Sequence, residues 1–162
     1  MIRLESISEE VAQNTYRTQE ILRILSNNQI NQMAKPPEFP NMPLKKTRDL
    51  KALEEKLDEP LYADYLRKRL ATLGGNTIKH ATTNMIRYLL TNRCARKFSW
   101  AGQKSKQSFQ SLKCCRILIE AVYVLFEREA QADLNDAVIK RTIQDWLRLA
   151  NQRYEYERNK TK

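Results

Sequence analysis

The sequence predicts an all-α protein in which a coiled-coil-like N-terminal helix and a proline-rich linker precede a compact bundle of about five helices. Apolar residues recur at spacings of three and four along most of the 162-residue chain, no segment alternates as a strand does, and only 3 glycines are available for tight turns. We expect four segments: a helical oligomerisation arm (1–33), a proline-rich linker (34–48), a basic helical domain (49–153) and a charged tail (154–162).

The arm is predicted to be one helix over residues 4–32 whose apolar seam follows a heptad repeat. The seam positions considered for self-association are Leu4, Ile7, Val11, Asn14, Thr18, Ile21 and Leu25. Polar residues in such a seam lower stability but fix register and partner number. Because so thin an apolar stripe does not stabilise an isolated helix, we expect the arm to form a homodimer. Packing onto the chain's own domain is the alternative.

Four of the five prolines fall within residues 34–48. Proline lacks an amide donor and favours extended backbone in the residue before it. The segment is therefore expected to be a semi-rigid linker and the main domain boundary. Phe39, Met42 and Leu44 are the side chains suited to hold it against the globular part.

Five amphipathic helices are predicted after the linker, over residues 49–57, 60–73, 76–90, 109–127 and 133–150. We expect Gly74 to end the second of these helices, Asn76 to cap the third and Asp133 to cap the last. Residues 99–108 are expected to form a polar loop, and the residues from Tyr154 onward to fray in solvent.

The positive charge is concentrated in the middle of the chain. The whole chain has 29 Lys and Arg against 19 Asp and Glu, a net charge of +10, yet residues 65–119 contain 12 basic residues and no acidic residue. The two flanking parts of the chain are close to neutral. A positive field of this extent typically attracts a polyanion, although a merely solubilising surface is the alternative interpretation.

Nucleic-acid contacts are predicted in the stretch from Arg93 to Arg116, where basic residues are interspersed with Ser, Gln and Asn. Basic side chains neutralise phosphates, and an exposed Trp100 would stack on a base, whereas a buried one would anchor the loop to the core. The predicted site consists of Arg93, Arg96, Lys97, Trp100, Lys104, Lys106, Lys113 and Arg116. A second basic face is predicted on the last helix, from Lys140, Arg141, Arg148 and Arg153.

Little in the sequence predicts catalysis, and we expect no enzyme activity, metal or cofactor. The single histidine, His80, lies in no recognised catalytic spacing. Residues 65–119, which we call the basic window, contain no carboxylate for acid–base chemistry. Cys114 and Cys115 are neighbours on a helix and therefore point about 100° apart, so they are expected to pack as small apolar groups. Cys94 lies among basic residues that are able to lower its pKa.

The compartment expected from the sequence is a reducing one. The cysteine count is odd, the first residues lack the apolar stretch of a signal peptide, and no run of about 18 apolar residues is present to cross a membrane. Together with the basic window, these features favour a nuclear protein without membrane association.

The run from Pro43 to Ala150 resembles an animal family of domains of unknown function, number 4806, that is frequent in insect nuclear and transposon-related proteins. The matching motifs are Pro43-Leu44-Lys45, Leu53 to Leu57, Leu73-Gly74-Gly75, Leu89 to Asn92, Phe98 to Gly102 followed by Lys104 and Lys106, Ile119 to Val122, and Trp146 to Ala150. At Arg93-Cys94 the family pattern has an acidic-Leu pair, so this loop is more basic than the pattern. The resemblance implies no catalytic residues.

The family pattern is in turn similar to the BEN domain, a small all-helical module for DNA binding and protein interaction. We therefore expect a non-enzymatic nuclear protein of chromatin and transcription regulation, which self-associates through its arm and binds DNA or another polyanion mainly through phosphate contacts. The alternative is a protein-interaction adaptor whose basic face binds an acidic protein partner.

Overall fold

The structure, a computed structural model, describes residues 2–31, 34–127 and 134–161. The chain divides into two compact units, Met1–Ala34 and Lys35–Lys162. Its elements in chain order are α1 (Ile2–Asn31), α2 (Thr47–Lys56), α3 (Pro60–Leu73), α4 (Ile78–Leu89), α5 (Asn92–Ala95), β1 (Phe98–Ser99), β2 (Gln107–Ser108), α6 (Lys113–Phe126), α7 (Asp136–Arg148) and α8 (Ala150–Lys160). The predicted all-α class is confirmed, and the one small sheet in the described ranges has two residues in each strand.

The first unit is the single long helix α1, as the heptad spacing predicted. Its apolar seam residues are exposed, from 74% for Leu4 to 51% for Leu25. The polar seam residue Thr18 turns its hydroxyl back to donate to the carbonyl of Asn14, at 2.8 Å. Leu22 and Ile24, outside the predicted seam, are also exposed and widen the apolar stripe towards the C-terminal half of the helix.

The second unit is a bundle whose core lies between α3, α4, α6 and α7. Helix α3 packs against α6, and α4 packs against both α6 and α7. These helices form because their apolar residues recur every three or four positions and so share one face. The side chains with no exposed surface include Leu53, Leu66, Leu70, Met85, Ile86, Leu89, Leu118, Val122, Ile139 and Ile143.

The proline-rich segment differs from the predicted linker, because from Lys35 onward it belongs to the second unit. Phe39 and Leu44 are buried there, and the Phe39 ring meets the edge of the Tyr65 ring with centroids 4.8 Å apart. The amide of Leu44 donates to the carbonyl of Leu89 at 2.8 Å, and its own carbonyl accepts from the Thr91 amide at 3.0 Å. Backbone hydrogen bonds and buried side chains therefore make this segment part of the domain.

Two helix starts differ from the sequence-based expectation. Thr77, not Asn76, caps α4, with its hydroxyl accepting from the His80 amide at 3.0 Å. Helix α6 begins at Lys113 rather than at Phe109, because the Phe109 amide donates to the carbonyl of Ser99 at 2.9 Å and is held by the small sheet.

Helix α7 begins at Asp136 and is capped by Asn135, whose side chain accepts from the Val138 amide at 3.1 Å. The predicted cap, Asp133, lies outside the described residues. At the end of α3 the prediction agrees with the structure, since Gly74 follows Leu73 with a left-handed φ of 63°.

The C-terminal residues that were expected to fray form α8 instead. Helix α8 packs against α5, where Arg153 donates to the Asn92 side chain at 2.8 Å and to the Trp146 carbonyl at 2.7 Å. The Arg153 guanidinium also lies 4.3 Å from the centroid of the Trp146 ring. These contacts order a segment whose alternating charges alone predict a solvated tail.

Candidate functional site

The strongest candidate surface is built around residues 100–106, which we call the basic loop. Strands β1 and β2 on either side of it are parallel, with the Gln107 amide donating to the Lys97 carbonyl at 3.0 Å. Parallel strands usually need a connection of a dozen residues or more. The basic loop is shorter than this and contains a tight turn, in which the backbone amide of Lys106 donates to the carbonyl of Gln103 at 3.1 Å.

The turn explains why the loop presents its charges outward. Its two central residues, Lys104 and Ser105, have left-handed φ angles of 54° and 62°, as in a type I′ turn, and both side chains are exposed. Gly102 is required just before the turn, because its φ is 75° and a Cβ there would lie 3.2 Å from the Cβ of Ser108. The backbone geometry therefore fixes the positions from which the lysines project.

An open cleft of about 490 Å³, which we call the loop cleft, lies between the basic loop and α7. Its apolar lining includes the buried Phe98 and Leu147 and the half-buried Trp100. Its polar lining consists of Ser99, Gln103, Gln144, Lys104, Lys106 and Arg148. An aromatic ring, side-chain amides and three cations thus converge on one concave surface.

The loop cleft keeps a positive charge because its cations are poorly neutralised. Lys104 and Lys106 make no side-chain hydrogen bond or ion pair with any residue that the structure describes. Among the residues that the structure describes, Arg148 pairs only with Asp145, at 3.6 Å, and the two side chains are 69% and 56% exposed. Such an exposed pair contributes little to stability and leaves the arginine free to exchange partners.

Two further predicted site residues, Arg93 and Lys97, are exposed but do not line the loop cleft. Within the described ranges neither makes an ion pair. Both flank the basic loop along the chain, Arg93 on α5 and Lys97 immediately before β1. They therefore add positive charge near the site without forming part of its concave surface.

The remaining predicted cations have partners inside the protein and do not line the loop cleft. Arg96 lies 4.1 Å from the centroid of the Tyr154 ring and 3.9 Å from a carboxylate oxygen of Glu155, so it helps to hold α8. Lys113 binds Asp58 at 2.6 Å and the Glu54 carbonyl at 3.1 Å. Arg116 is exposed, and its Nε lies 3.8 Å from Glu120. Carboxylates from outside the basic window thus neutralise part of the positive charge of that window.

The basic residues that were predicted to share a second face on the last helix lie in different environments. Lys140 pairs with Asp136 at 3.5 Å. Arg153 lines a separate cleft of about 620 Å³ together with Arg87 and Glu157. Burial lowers the pKa of Arg153, with the Glu157 carboxylate opposing this effect and the Arg87 charge adding to it. Because Glu157 supplies a negative charge in that cleft, the loop cleft is the stronger candidate for an anion.

The cysteine and histidine side chains occupy structural positions. Cys94 is 1% exposed, and burial, followed by the charge of Asp49, raises its pKa to about 11, which corrects the expectation of a lowered value. Burial likewise raises the pKa of Cys115 to about 12. His80 is exposed, and its Nδ1 accepts from the Asn76 amide at 3.4 Å.

Neither a metal cluster nor a membrane-spanning helix occurs in the part of the chain that the structure describes. No three His, Cys, Asp or Glu side chains there are grouped so as to hold a metal ion. No helix there is both long enough and apolar enough to cross a bilayer.

Nothing in the sequence singles out Gln144, and Arg148 was predicted to lie on the second basic face. Both residues reach the loop cleft because α7 packs beside β1, although a long stretch of chain separates the two elements. No spacing within the sequence signals this juxtaposition. The identity of Arg148 as a basic residue on an amphipathic helix was the one available hint.

Comparison with known proteins gave one match. The sequence profile of a family described as "Domain of unknown function (DUF4806)" matches residues 36–123. This range covers more than half of the chain, begins where the second unit begins and includes the basic loop, while α7 lies beyond it. No curated protein matches the chain, and no solved structure matches it.

Proposed function

The chain belongs to the family of domains of unknown function DUF4806, and we propose that it is a non-enzymatic nuclear protein that binds nucleic acid through the basic loop. In this proposal the second unit contacts DNA mainly through phosphates, and α1 pairs two copies of the chain. Its role is in chromatin and transcription regulation. As part of this proposal, the family pattern is distantly related to the BEN domain, a module for DNA binding and protein interaction.

The observation that supports the proposal most directly is the group of unneutralised cations at the loop cleft. Lys104 and Lys106 have no carboxylate partner among the described residues, and Arg148 has only an exposed one. Elsewhere in the basic window, Arg67 and Lys113 bind acidic residues at 2.6 Å to 2.8 Å. A folded surface that leaves adjacent cations unpaired favours a phosphate-rich ligand over a structural role for those cations.

The exposed apolar stripe of α1 supports the proposed pairing of two chains. A helix of this length with a partly polar seam gains stability when a second helix covers the stripe. Two basic loops on one dimer would bind a long nucleic acid more tightly than one loop, because the second contact becomes intramolecular.

The first experiment is a salt titration of binding to short duplex DNA. Binding should weaken steeply between about 50 mM and 200 mM salt, because phosphate contacts release counterions. For the variant Lys104→Glu/Lys106→Glu we expect the affinity at low salt to fall at least about tenfold. The slope of the logarithm of the binding constant against the logarithm of the salt concentration should become shallower by about two, because two phosphate contacts are lost. Absence of any binding by the wild-type chain at low salt would refute the proposal.

The matched control is Lys51→Glu/Lys79→Glu, which makes the same change in net charge at two exposed positions outside the loop cleft. If both double variants weaken binding equally, the basic loop is not the site and only net charge matters. A second binding experiment, run in parallel, replaces DNA with an acidic peptide. Retention of the peptide without retention of DNA would support the alternative function, an adaptor for an acidic protein partner.

A further inference from the structure

The lining of the loop cleft differs from a purely electrostatic phosphate site in including an aromatic side chain that is only half-buried, Trp100. Trp100 is half-buried, and its indole N–H has no hydrogen-bond partner among the described residues. The backbone of Trp100 is fixed, because its carbonyl accepts from the Gln110 amide at 3.1 Å and from the Ser108 hydroxyl at 3.2 Å. The Trp100 side chain packs against the hydrophobic core and also lines the cleft.

Two side-chain amides line the same cleft as this ring. Gln103 and Gln144 line the cleft and are exposed, and neither side chain makes a hydrogen bond with a described residue. A glutamine side chain offers a donor and an acceptor side by side, which is the pattern presented by the edges of nucleobases. The hydroxyl of Ser99 accepts a hydrogen bond from the backbone amide of Gln103 at 2.8 Å, so its own proton remains available for donation to a ligand.

Three cations line the same cleft. Lys104 and Lys106 come from the basic loop, and Arg148 comes from α7 on the opposite side. The lining of the cleft thus combines apolar and aromatic surface, neutral hydrogen-bonding groups and three cations. Its volume of about 490 Å³ lies within the usual range for sites that enclose a small ligand.

From this arrangement we infer that the loop cleft binds an unpaired nucleobase, which stacks on Trp100 while Gln103 and Gln144 contact its edge and the cations contact the flanking phosphates. The inference rests on the proposed function and specifies its substrate class. A base paired within a duplex has its faces covered by its neighbours, whereas an unpaired base exposes a face for stacking. The preferred ligand is therefore single-stranded nucleic acid, or a base displaced from a duplex.

The test compares three probes of equal length with the full-length protein: single-stranded DNA, duplex DNA and an abasic strand that keeps the phosphates but lacks the bases. We expect the single strand to bind about tenfold or more tightly than either of the others at the same salt concentration. Equal affinity for the single strand and the abasic strand would overturn the inference, because phosphates alone would then explain the binding.

The variants Trp100→Leu and Trp100→Phe separate stacking from packing. Leucine keeps an apolar side chain but has no face for stacking, so we expect affinity for the single strand to fall about 5- to 100-fold, with abasic binding unchanged. Phenylalanine should retain most of the wild-type affinity. Thermal unfolding of both variants identifies any loss of fold. If leucine fails to fold, the Trp100 fluorescence is measured in Trp146→Phe. Quenching that is no stronger with the single strand than with the abasic strand would then overturn the inference.

The outcomes also distinguish the two proposals. If duplex DNA binds as tightly as the single strand and Trp100→Leu changes neither affinity, the inference about the base is wrong and the proposed phosphate binding stands. If no probe binds at low salt, the proposed function itself is wrong.

Discussion

Cys94 lies next to Arg93 and two residues before Arg96, yet its thiol is buried and its pKa is raised to about 11. Nearby cations stabilise a thiolate only where their charged groups face it. Arg93 is exposed, and the guanidinium of Arg96 lies against the Tyr154 ring. The removal of the thiol from water therefore outweighs the charges that adjoin it in sequence.

This burial predicts a loss of stability at alkaline pH. The folded state keeps the Cys94 proton up to a pKa of about 11, whereas the unfolded chain releases it near 9.0. Between these values the folded state holds more protons, so the free energy of unfolding should fall as pH rises through this interval. Urea unfolding of the wild type and of Cys94→Ala measures this effect. The free energy of unfolding should fall less with rising pH in Cys94→Ala than in the wild type. An identical fall in both proteins would contradict the raised pKa of Cys94.

At the scale of the element, α6 begins without a capping side chain of its own. Its N-cap residue, Leu112, makes no side-chain bond, and the carboxylate of Glu54 on α2 instead accepts from the amides of Lys113 and Cys114 at 2.7 Å and 2.8 Å. A negative charge at a helix N-terminus also interacts favourably with the helix dipole. Because the cap comes from a distant helix, periodicity along α6 does not predict where α6 starts.

The same cap makes a measurable prediction. Glu54→Ala should lower the free energy of unfolding by about 1–2 kcal/mol, since two helix amides lose their acceptor. Glu54→Gln should lose less, because its amide oxygen still accepts a hydrogen bond. Glu55→Ala is the control, as Glu55 is exposed and its side chain makes no contact of this kind with the described residues. Equal stability of Glu54→Ala and Glu55→Ala would exclude the capping role.

At the scale of the whole molecule, the chain combines a long helix with an exposed apolar stripe and a domain whose core is already filled. The domain buries most of its large apolar side chains between its own helices, whereas Ile7 and Val11 of α1 are 53% and 59% exposed. Apolar surface of this kind favours association. We therefore propose that α1 mediates assembly and that the second unit binds the ligand.

The assembly prediction is that the full chain is a dimer in light scattering. Val11→Glu/Ile21→Glu, which places charges in the seam, should convert it to a monomer. Gln13→Glu/Gln19→Glu adds the same two charges away from the seam and should leave the dimer intact. A monomeric wild-type chain would refute pairing through α1, and dissociation of both variants would point to net charge rather than the seam.

The order of the amphipathic helices, the all-α class and the concentration of basic residues around the basic loop were determined by the sequence, because each depends on neighbours a few positions apart. The helical tail, the integration of the proline-rich segment and the burial of Cys94 were decided by tertiary contacts. The same is true of the site: Trp100, Lys104 and Lys106 are predictable as a local cluster, but Gln144 and Arg148 join them only because α7 packs beside β1. Which cations remain free was likewise settled by folding, since carboxylates distant in sequence neutralise Arg96 and Lys113 and leave the basic loop charged.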